Sequence, residues 1–232
     1  MALNIQTFKT RALTALLFVV VMLTGLLWNF WSFLILFTVI HFGCWYEFVK
    51  LMKKIYAEKY LGYCLFGLIY LTMPVLMIID LYNPANHIHI YDTFIVLVKG
   101  TIPIVIIASI WINDTMAYLV GSFIGKTPLS KISPKKTWEG TIGGIVLCIT
   151  VAGLVSQFIF HSWIVNLFIM LLAAICAIFG TLGDLLESKI KRMADVKDSG
   201  SFMPGHGGFL DRFDSLLVAV PAVWVYVYFF IK

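Results

Sequence analysis

Long apolar segments interrupted by short basic clusters are the feature of this sequence that most restricts its fold. Of its 232 residues, 61% are hydrophobic and only 12% are charged, whereas soluble domains average about 45–50% apolar and about 25% charged residues. A soluble globule of this size has no interior large enough for that apolar surface, so a water-soluble enzyme and a disordered chain are both excluded. The segments instead indicate an all-α, polytopic membrane protein, since one helix crosses a bilayer in about 20 residues.

The apolar segments divide into about seven predicted membrane-spanning helices. They cover residues 12–28, 30–49, 60–79, 97–123, 141–160, 163–187 and 214–231. Clusters of lysine and arginine precede the first span and follow the second, fourth and sixth, whereas the alternate connections near Asn29, at 80–92 and near His161 contain neither residue. Because positive residues are retained in cytoplasmic loops, seven spans with a cytoplasmic N-terminus place every basic cluster inside.

Polar residues are concentrated in two predicted cytoplasmic loops, 124–140 and 188–213. We therefore predict that residues 1–95 supply packing helices, with dimerisation through them left open, and that residues 96–232 form a catalytic region. The active site would lie at the cytoplasmic membrane interface. The net charge of +5 fits basic loops beside anionic headgroups, so we expect membrane lipid as a partner and no nucleic acid.

In the loop 188–213, acidic and basic residues alternate among glycines. At the start of this loop, Asp184, Glu187 and Ser188 are spaced i, i+3 and i+4, which places them on one helical face at the membrane edge. An ionisable group at that depth is costly and is usually functional. Carboxylate oxygens beside cationic side chains suit a Mg²⁺ ion that bridges phosphates, and glycine amides are available for phosphate oxygens. The alternative is a solvated, charged loop that only fixes topology.

The loop 124–140 contributes a second set of candidate residues together with the span before it. Asp114 lies within that span and requires a cation or a hydrogen-bond partner there. Lys135 and Lys136 are placed to bind a triphosphate, although lysines retained on the cytoplasmic side explain the same charges.

The sequence resembles the phosphatidate cytidylyltransferases, or CDP-diacylglycerol synthases, over roughly residues 100–231. Within the loop 188–213 and just beyond it, about a dozen positions match the signature of this family. They are Ser188, Lys191, Arg192, Lys197, Asp198, Gly200, His206, Gly207, Gly208, Asp211, Arg212 and Asp214. The stretch Ile132–Gly140 and the span segment Asp114–Gly121 also look like family features. The chain is shorter at its N-terminal end than many members.

The resemblance implies that CTP and phosphatidate react to give CDP-diacylglycerol and pyrophosphate, for phospholipid biosynthesis in a bacterial-type plasma membrane. It also implies a Mg²⁺ cofactor, with a second cation such as K⁺ left open. The implied metal ligands are Asp184, Asp211 and Asp114. The implied catalytic residues are Asp184, Asp211, Lys197, Asp198, Arg212 and His206. The implied substrate-binding residues are Lys135, Lys136, Ser188, Lys191, Arg192, Gly207 and Gly208.

Two other functions remain open. A CTP-dependent lipid kinase would use similar acids and lysines but would transfer the γ-phosphoryl group to a hydroxyl and release CDP. A membrane transporter would carry ionisable residues on several spans and a polar path across the bilayer, whereas the first three spans are almost without charge at their centres.

Overall fold

The computed structural model describes residues 5–82, 100–203 and 207–231, with side chains described from residue 12 to residue 229 inside these ranges. Over these ranges the ordered elements are helices, accompanied by isolated bridges rather than β-strands. The α-helices are α1 (Ile5–Leu27), α2 (Phe30–Tyr56), α3 (Tyr60–Cys64), α4 (Met73–Tyr82), α5 (Thr101–Ile124), α6 (Trp138–Phe160), α7 (Trp163–Met193) and α8 (Leu210–Ile231). The predicted all-α fold is confirmed.

The helices account for each predicted membrane span. Within the described ranges, five are long and apolar enough to cross a membrane, and two shorter helices are also apolar. The five are Phe30–Cys64, Thr101–Ile124, Trp138–Phe160, Trp163–Met193 and Leu210–Phe229, and the shorter two are Ala12–Leu27 and Leu68–Tyr82. Each overlaps one of the predicted segments, so a polytopic membrane protein is confirmed. The cytoplasmic position of the N-terminus stays a prediction.

The chain divides into two compact units, neither of which is one continuous stretch of sequence. The first unit consists of Met1–Val75 and Ile190–Phe213, and the second consists of Leu76–Lys189 and Asp214–Lys232. The roles predicted for residues 1–95 and 96–232 concern function and stay predictions.

In the first unit, a capping box separates α1 from α2 at the predicted connection near Asn29. The Ser32 amide donates to Asn29 Oδ1 at 2.9 Å, and the Asn29 amide donates to Ser32 Oγ at 3.0 Å. The two hydrogen bonds satisfy amide groups that the first turn of a helix leaves without an intrahelical partner. The chain therefore turns within a few residues and α2 begins at Phe30.

In the second unit, glycines allow α5 and α6 to approach closely. A Cβ atom at Gly140 would lie 2.7 Å from the Ala117 carbonyl oxygen, and one at Gly144 would lie 2.7 Å from Ala117 Cβ. A Cβ atom at Gly143 would lie 2.6 Å from Val120. Larger residues would separate the helices, so this contact fixes both ends of the loop that joins them.

Candidate active site

The loop between α5 and α6 is held closed by the Glu139 carboxylate. It accepts hydrogen bonds from the Thr127 hydroxyl at 2.8 Å, the Thr127 amide at 3.1 Å and the Lys126 amide at 3.2 Å. Next to it, the Trp138 amide donates to the Thr127 carbonyl at 2.9 Å. Thr137 caps α6, because its hydroxyl accepts from the Gly140 amide at 3.1 Å. These bonds tie the loop's two ends together and fix the backbone beside Lys136.

Lys136 forms an ion pair with Asp184 of α7, and both residues belong to the second unit. Their side chains are 30% and 27% exposed, so the pair lies partly open to solvent. Ser188, one turn further along α7, donates from its hydroxyl to the other Asp184 oxygen at 3.3 Å. The structure thus brings together Lys136, Asp184 and Ser188. Lys135, the other predicted triphosphate ligand, is exposed.

Asp214 is a further carboxylate near this pair. It is buried and accepts a hydrogen bond from the Ser215 amide at 2.7 Å. Asp184, Asp114 and Lys136 all lie close enough to Asp214 to interact with it electrostatically. The second unit therefore places the buried Asp214 carboxyl within the electrostatic influence of the Lys136–Asp184 pair and of Asp114. Asp214 was not among the predicted site residues, although its place at the end of the signature was an available signal.

A glycine explains why α7 can come so near to Asp214. A Cβ atom at Gly183 would lie 2.5 Å from the Asp214 carbonyl oxygen and 3.0 Å from Ser215 Cα. A side chain at this position would therefore push the two backbones apart. Gly183 precedes Asp184 directly, so the close approach also sets the position of that carboxylate.

Asp211 is the centre of a second polar cluster, which lies in the first unit. Its Oδ1 accepts from Lys191 Nζ at 2.7 Å, and the two side chains are only 6% and 15% exposed. Its Oδ2 accepts from the Ser199 amide and the Ser199 hydroxyl, each at 2.9 Å, and from the Gly208 amide at 2.7 Å. Four donors thus stabilise the charged carboxylate at the first turn of α8.

The adjacent glycines Gly207 and Gly208 support this cluster. Gly207 has φ +86°, a conformation that side chains disfavour. Its carbonyl accepts from the Met203 amide at 2.9 Å. The Gly208 amide is occupied by Asp211. Substrate binding by these two glycines stays a prediction.

Of the remaining predicted residues in the segment 190–213, those that the structure describes are at the surface of the first unit. Four of them have exposed side chains, namely Arg192, Lys197, Asp198 and Arg212. The Arg192 guanidinium also donates to the Val196 carbonyl at 3.4 Å. His206 lies outside the described residues. Contact of these residues with substrate stays a prediction.

Glu47 of α2 is a buried carboxylate that the sequence analysis missed. It is 3% exposed and accepts a hydrogen bond from the Ser199 hydroxyl at 2.7 Å. Ser199 itself lies in the signature segment and had been given no role. The available signal was the occurrence of a single glutamate between apolar residues of the second predicted span, where a charge is costly.

The donor chemistry of these clusters fits Mg²⁺, although the protein alone does not supply a complete coordination shell. Over residues 5–82, 100–203 and 207–231, no three His, Cys, Asp or Glu side chains are grouped so as to hold a metal ion. Mg²⁺ is usually held by one or two carboxylates together with substrate phosphates and water, and an all-protein cage is not required. Of the predicted ligands, Asp114 and Asp184 belong to the second unit and Asp211 to the first. Metal binding by them stays a prediction.

The region that contains these residues is similar in sequence to a known protein family. A profile of the cytidylyltransferase family matches residues 99–230, more than half of the chain. The chain is 54% identical over 106 residues to phosphatidate cytidylyltransferase 4, chloroplastic, of Arabidopsis thaliana, which is 45% of this chain and 27% of the plant protein. It is 47% identical over 116 residues to the phosphatidate cytidylyltransferase of Bacillus subtilis, covering 50% of this chain and 43% of the relative.

A longer match includes part of the N-terminal region. The chain is 35% identical over 177 residues to the phosphatidate cytidylyltransferase of Staphylococcus aureus, covering 75% of this chain and 62% of the relative. The chain thus spans less than two thirds of the length of each of these relatives. The family profile nevertheless includes α5 to α8, both ion pairs and the whole signature segment. The chain belongs to the cytidylyltransferase family.

Proposed function

We propose that this protein is an integral-membrane phosphatidate cytidylyltransferase, which converts CTP and phosphatidate into CDP-diacylglycerol and pyrophosphate for phospholipid biosynthesis. The observation that carries the proposal is the pair of lysine–carboxylate contacts, Lys136–Asp184 and Lys191–Asp211, formed by residues inside the family match. The printed names of the relatives that share this region support the same activity.

The reaction requires cationic groups more than it requires a protein nucleophile. A phosphate oxygen of phosphatidate attacks the α-phosphorus of CTP and forms a new P–O–P bond. The bond from the α-phosphorus to the oxygen that bridges to the β-phosphorus breaks, and its electron pair leaves with pyrophosphate. Both reactants are polyanions, so their approach depends on positioning and on neutralisation of charge.

Lys136 and Lys191 are the side chains best prepared for this task. Each ammonium group is held by a carboxylate, and neither side chain is more than 30% exposed. A lysine fixed in this way loses little conformational freedom when a phosphate binds beside it. The exposed Lys135, Arg192, Lys197 and Arg212 extend the positive charge at the surface and attract anionic substrates over a longer distance.

Mg²⁺ is part of the proposal, with Asp184, Asp211 and Asp114 as its ligands and K⁺ as a second cation. When bound, Mg²⁺ would neutralise phosphate charge and polarise the reacting phosphoryl group. The Asp184 and Asp211 carboxylates are held in position by the hydrogen bonds and ion pairs described above. Ser188 keeps the Asp184 carboxylate oriented through its hydroxyl.

The membrane arrangement is proposed on the charge pattern of the loops. Lysines and arginines in the segments 124–140 and 188–213 support a position of the reacting groups on the cytoplasmic side of the membrane. The proposed membrane is a bacterial-type plasma membrane. The acyl chains of phosphatidate would remain in the bilayer while its headgroup reacts at the interface. A homodimer formed through helices in residues 1–95 is the proposed assembly.

A labelling experiment tests the reaction directly. The purified protein is incubated with Mg²⁺, phosphatidate in detergent micelles, and CTP labelled at either the α- or the γ-phosphate. The expected result is α-label in the lipid, release of pyrophosphate, and loss of both in Asp184→Ala and Asp211→Ala. Transfer of γ-label to an added lipid alcohol would instead identify a kinase. Folded protein that transfers neither label would overturn the proposal.

A further inference from the structure

One face of α2 contacts the segment that contains the family signature. Gly43 lies against the Phe209 ring, since a Cβ atom there would be 2.5 Å from it. Glu47, one turn later, accepts hydrogen bonds from the same segment. Two turns further on, Lys54 Nζ donates to the Asp195 carbonyl at 3.2 Å. The spacing of four and seven residues keeps all three on one face of the helix, and all belong to the first unit.

The Glu47 carboxylate is the centre of this contact. Its Oε1 accepts from the Phe209 amide at 2.9 Å, and its Oε2 accepts from the Leu210 amide at 2.9 Å and from the Ser199 hydroxyl at 2.7 Å. The side chain is 3% exposed. A buried carboxylate is tolerated only when donors replace the water it has lost, and here two of the donors are amides at the start of α8. Those amides have no partner within the helix, so the carboxylate also stabilises the helix terminus.

Ser199 links Glu47 to Asp211. Its hydroxyl oxygen lies 2.7 Å from Glu47 Oε2 and 2.9 Å from Asp211 Oδ2. A hydroxyl has one hydrogen to donate, so the two carboxylates share this donor. Displacement of Glu47 would therefore disturb both the start of α8 and the environment of the Asp211 oxygen.

The contact with Glu47 also accounts for two glycines of the signature. A Cβ atom at Gly200 or at Gly208 would overlap the Glu47 carboxylate. Both positions are thus restricted by a residue that lies more than 150 positions earlier in the sequence. The close fit indicates that the carboxylate and the segment form one rigid arrangement.

From these contacts we infer that Glu47 is a positioning residue for the reaction: it fixes the start of α8 and thereby the Asp211 carboxylate. Its effect on catalysis rests on the proposed function, whereas its hold on the segment is independent of that function. Glu47 contributes to the reaction through Ser199 and Asp211, and contact with substrate is not required for this role.

The test compares Glu47→Gln, Glu47→Asp and the matched control Glu58→Gln, which removes the same charge from an exposed side chain of the first unit. Glutamine has a single acceptor oxygen. Its NH₂ group therefore faces either the Phe209 amide, or the Leu210 amide and the Ser199 hydroxyl, which are donors themselves. We expect kcat for cytidylyl transfer to fall about 10- to 100-fold in Glu47→Gln, the range typical of groups that orient a catalytic ligand, with KM for CTP changed less than about three-fold. Glu47→Asp keeps the charge and should recover part of the loss.

Hydrogen exchange provides a second readout that does not depend on activity. In Glu47→Gln, peptides containing Phe209 and Leu210 should exchange faster, while peptides from α6 should exchange as in the wild type. In Glu58→Gln, exchange at Phe209 and Leu210 should be unchanged. Unchanged kcat in folded Glu47→Gln, or a loss of activity that merely follows the folded fraction, would overturn the inference. If the wild-type protein transfers no label, the proposed function fails. Exchange at Phe209 and Leu210 then still decides whether Glu47 holds the segment.

Discussion

The Lys136 ammonium group pairs with the Asp184 carboxylate and so connects the loop between α5 and α6 to α7. Both side chains are more than a quarter exposed, and an ion pair screened in this way contributes only about 0–1 kcal/mol to stability. Its importance therefore lies in geometry. Glu139 ties together the two ends of the loop that carries Lys136, so the lysine is held beside Asp184.

Replacement of Lys136 by methionine tests the role of this pair. Methionine keeps most of the length of the side chain but removes the charge, so Asp184 loses its counter-ion. If the proposed function is correct, the triphosphate of CTP also loses a cationic contact. We expect kcat/KM for CTP to fall by about 100-fold, the size of effect seen when one fixed charge that stabilises a transition state is lost. Lys131→Met, which removes an exposed lysine from the same loop, should retain nearly full activity. Equal losses in the two variants would contradict a specific role for Lys136.

Asp211→Asn should lower both the stability and the activity of the protein, although the side chain hardly changes in size. The carboxylate accepts from Lys191, from Ser199 twice and from Gly208. An amide nitrogen in place of either oxygen faces existing donors, which leaves buried groups unsatisfied at a cost of about 1–3 kcal/mol. Thermal denaturation in detergent should show this loss of stability, and cytidylyl transfer should become undetectable. Asp198→Asn changes an exposed carboxylate in the same segment and should leave the melting temperature unchanged; an equal shift in both variants would argue against the network.

The membrane helices were predictable because the apolar segments are long and the charges between them are clustered. The third predicted span shows where this reasoning ends. It covered residues 60–79 without a break, whereas the structure contains α3, a π-helical turn at Leu68–Thr72 and then α4. Pro74 explains the irregular turn, since its ring would clash with the Tyr70 carbonyl in a regular α-helix. Hydrophobicity alone carries no information about this change in helical geometry.

The last helix shows a second limit of the sequence. The predicted span began at residue 214, after the charged residues Asp211 and Arg212, but α8 begins at Leu210. The earlier start is stabilised by Glu47, whose carboxylate accepts from the Phe209 and Leu210 amides. A partner so distant in the sequence leaves no local pattern. For the same reason the signature identified Asp211 as a candidate but gave no indication of Glu47.

Removal of divalent cations tests the proposed metal ligands. Excess EDTA should abolish cytidylyl transfer, and added Mg²⁺ should restore it, because the phosphates of both reactants repel each other without a cation. In Asp184→Asn, the Mg²⁺ concentration for half-maximal activity should rise at least about 10-fold, as expected when one carboxylate ligand of a weakly held ion is lost. Asp195→Asn, which changes an exposed carboxylate of the segment 190–213 that has no proposed role, serves as the control. An unchanged Mg²⁺ requirement in Asp184→Asn would remove this residue from the set of metal ligands.

The proposed orientation in the membrane can be tested across α2. The starting variant lacks the four natural cysteines. In it, Trp28→Cys places a single exposed thiol just before α2, and Glu58→Cys places one just after α2. With a cytoplasmic N-terminus, a membrane-impermeant maleimide added to intact cells should label Trp28→Cys and leave Glu58→Cys unlabelled until the cells are lysed. The reverse pattern would invert the proposed topology and place the basic clusters outside.

Gly208→Ala tests the fit between the signature segment and α2. The added methyl group would overlap the Glu47 carboxylate, and relief requires movement of either the buried acid or the start of α8. Overpacking of this kind costs about 1–3 kcal/mol, so the melting temperature should fall together with cytidylyl transfer. Gly62→Ala is the matched control, because a Cβ atom at Gly62 in α3 meets nothing within 4 Å and alanine favours a helix by about 1 kcal/mol over glycine. If Gly208→Ala is as stable and active as Gly62→Ala, the fit around Glu47 is looser than these contacts indicate. A double variant with Glu47→Asp, whose shorter side chain leaves room for the methyl group, should recover part of the lost stability.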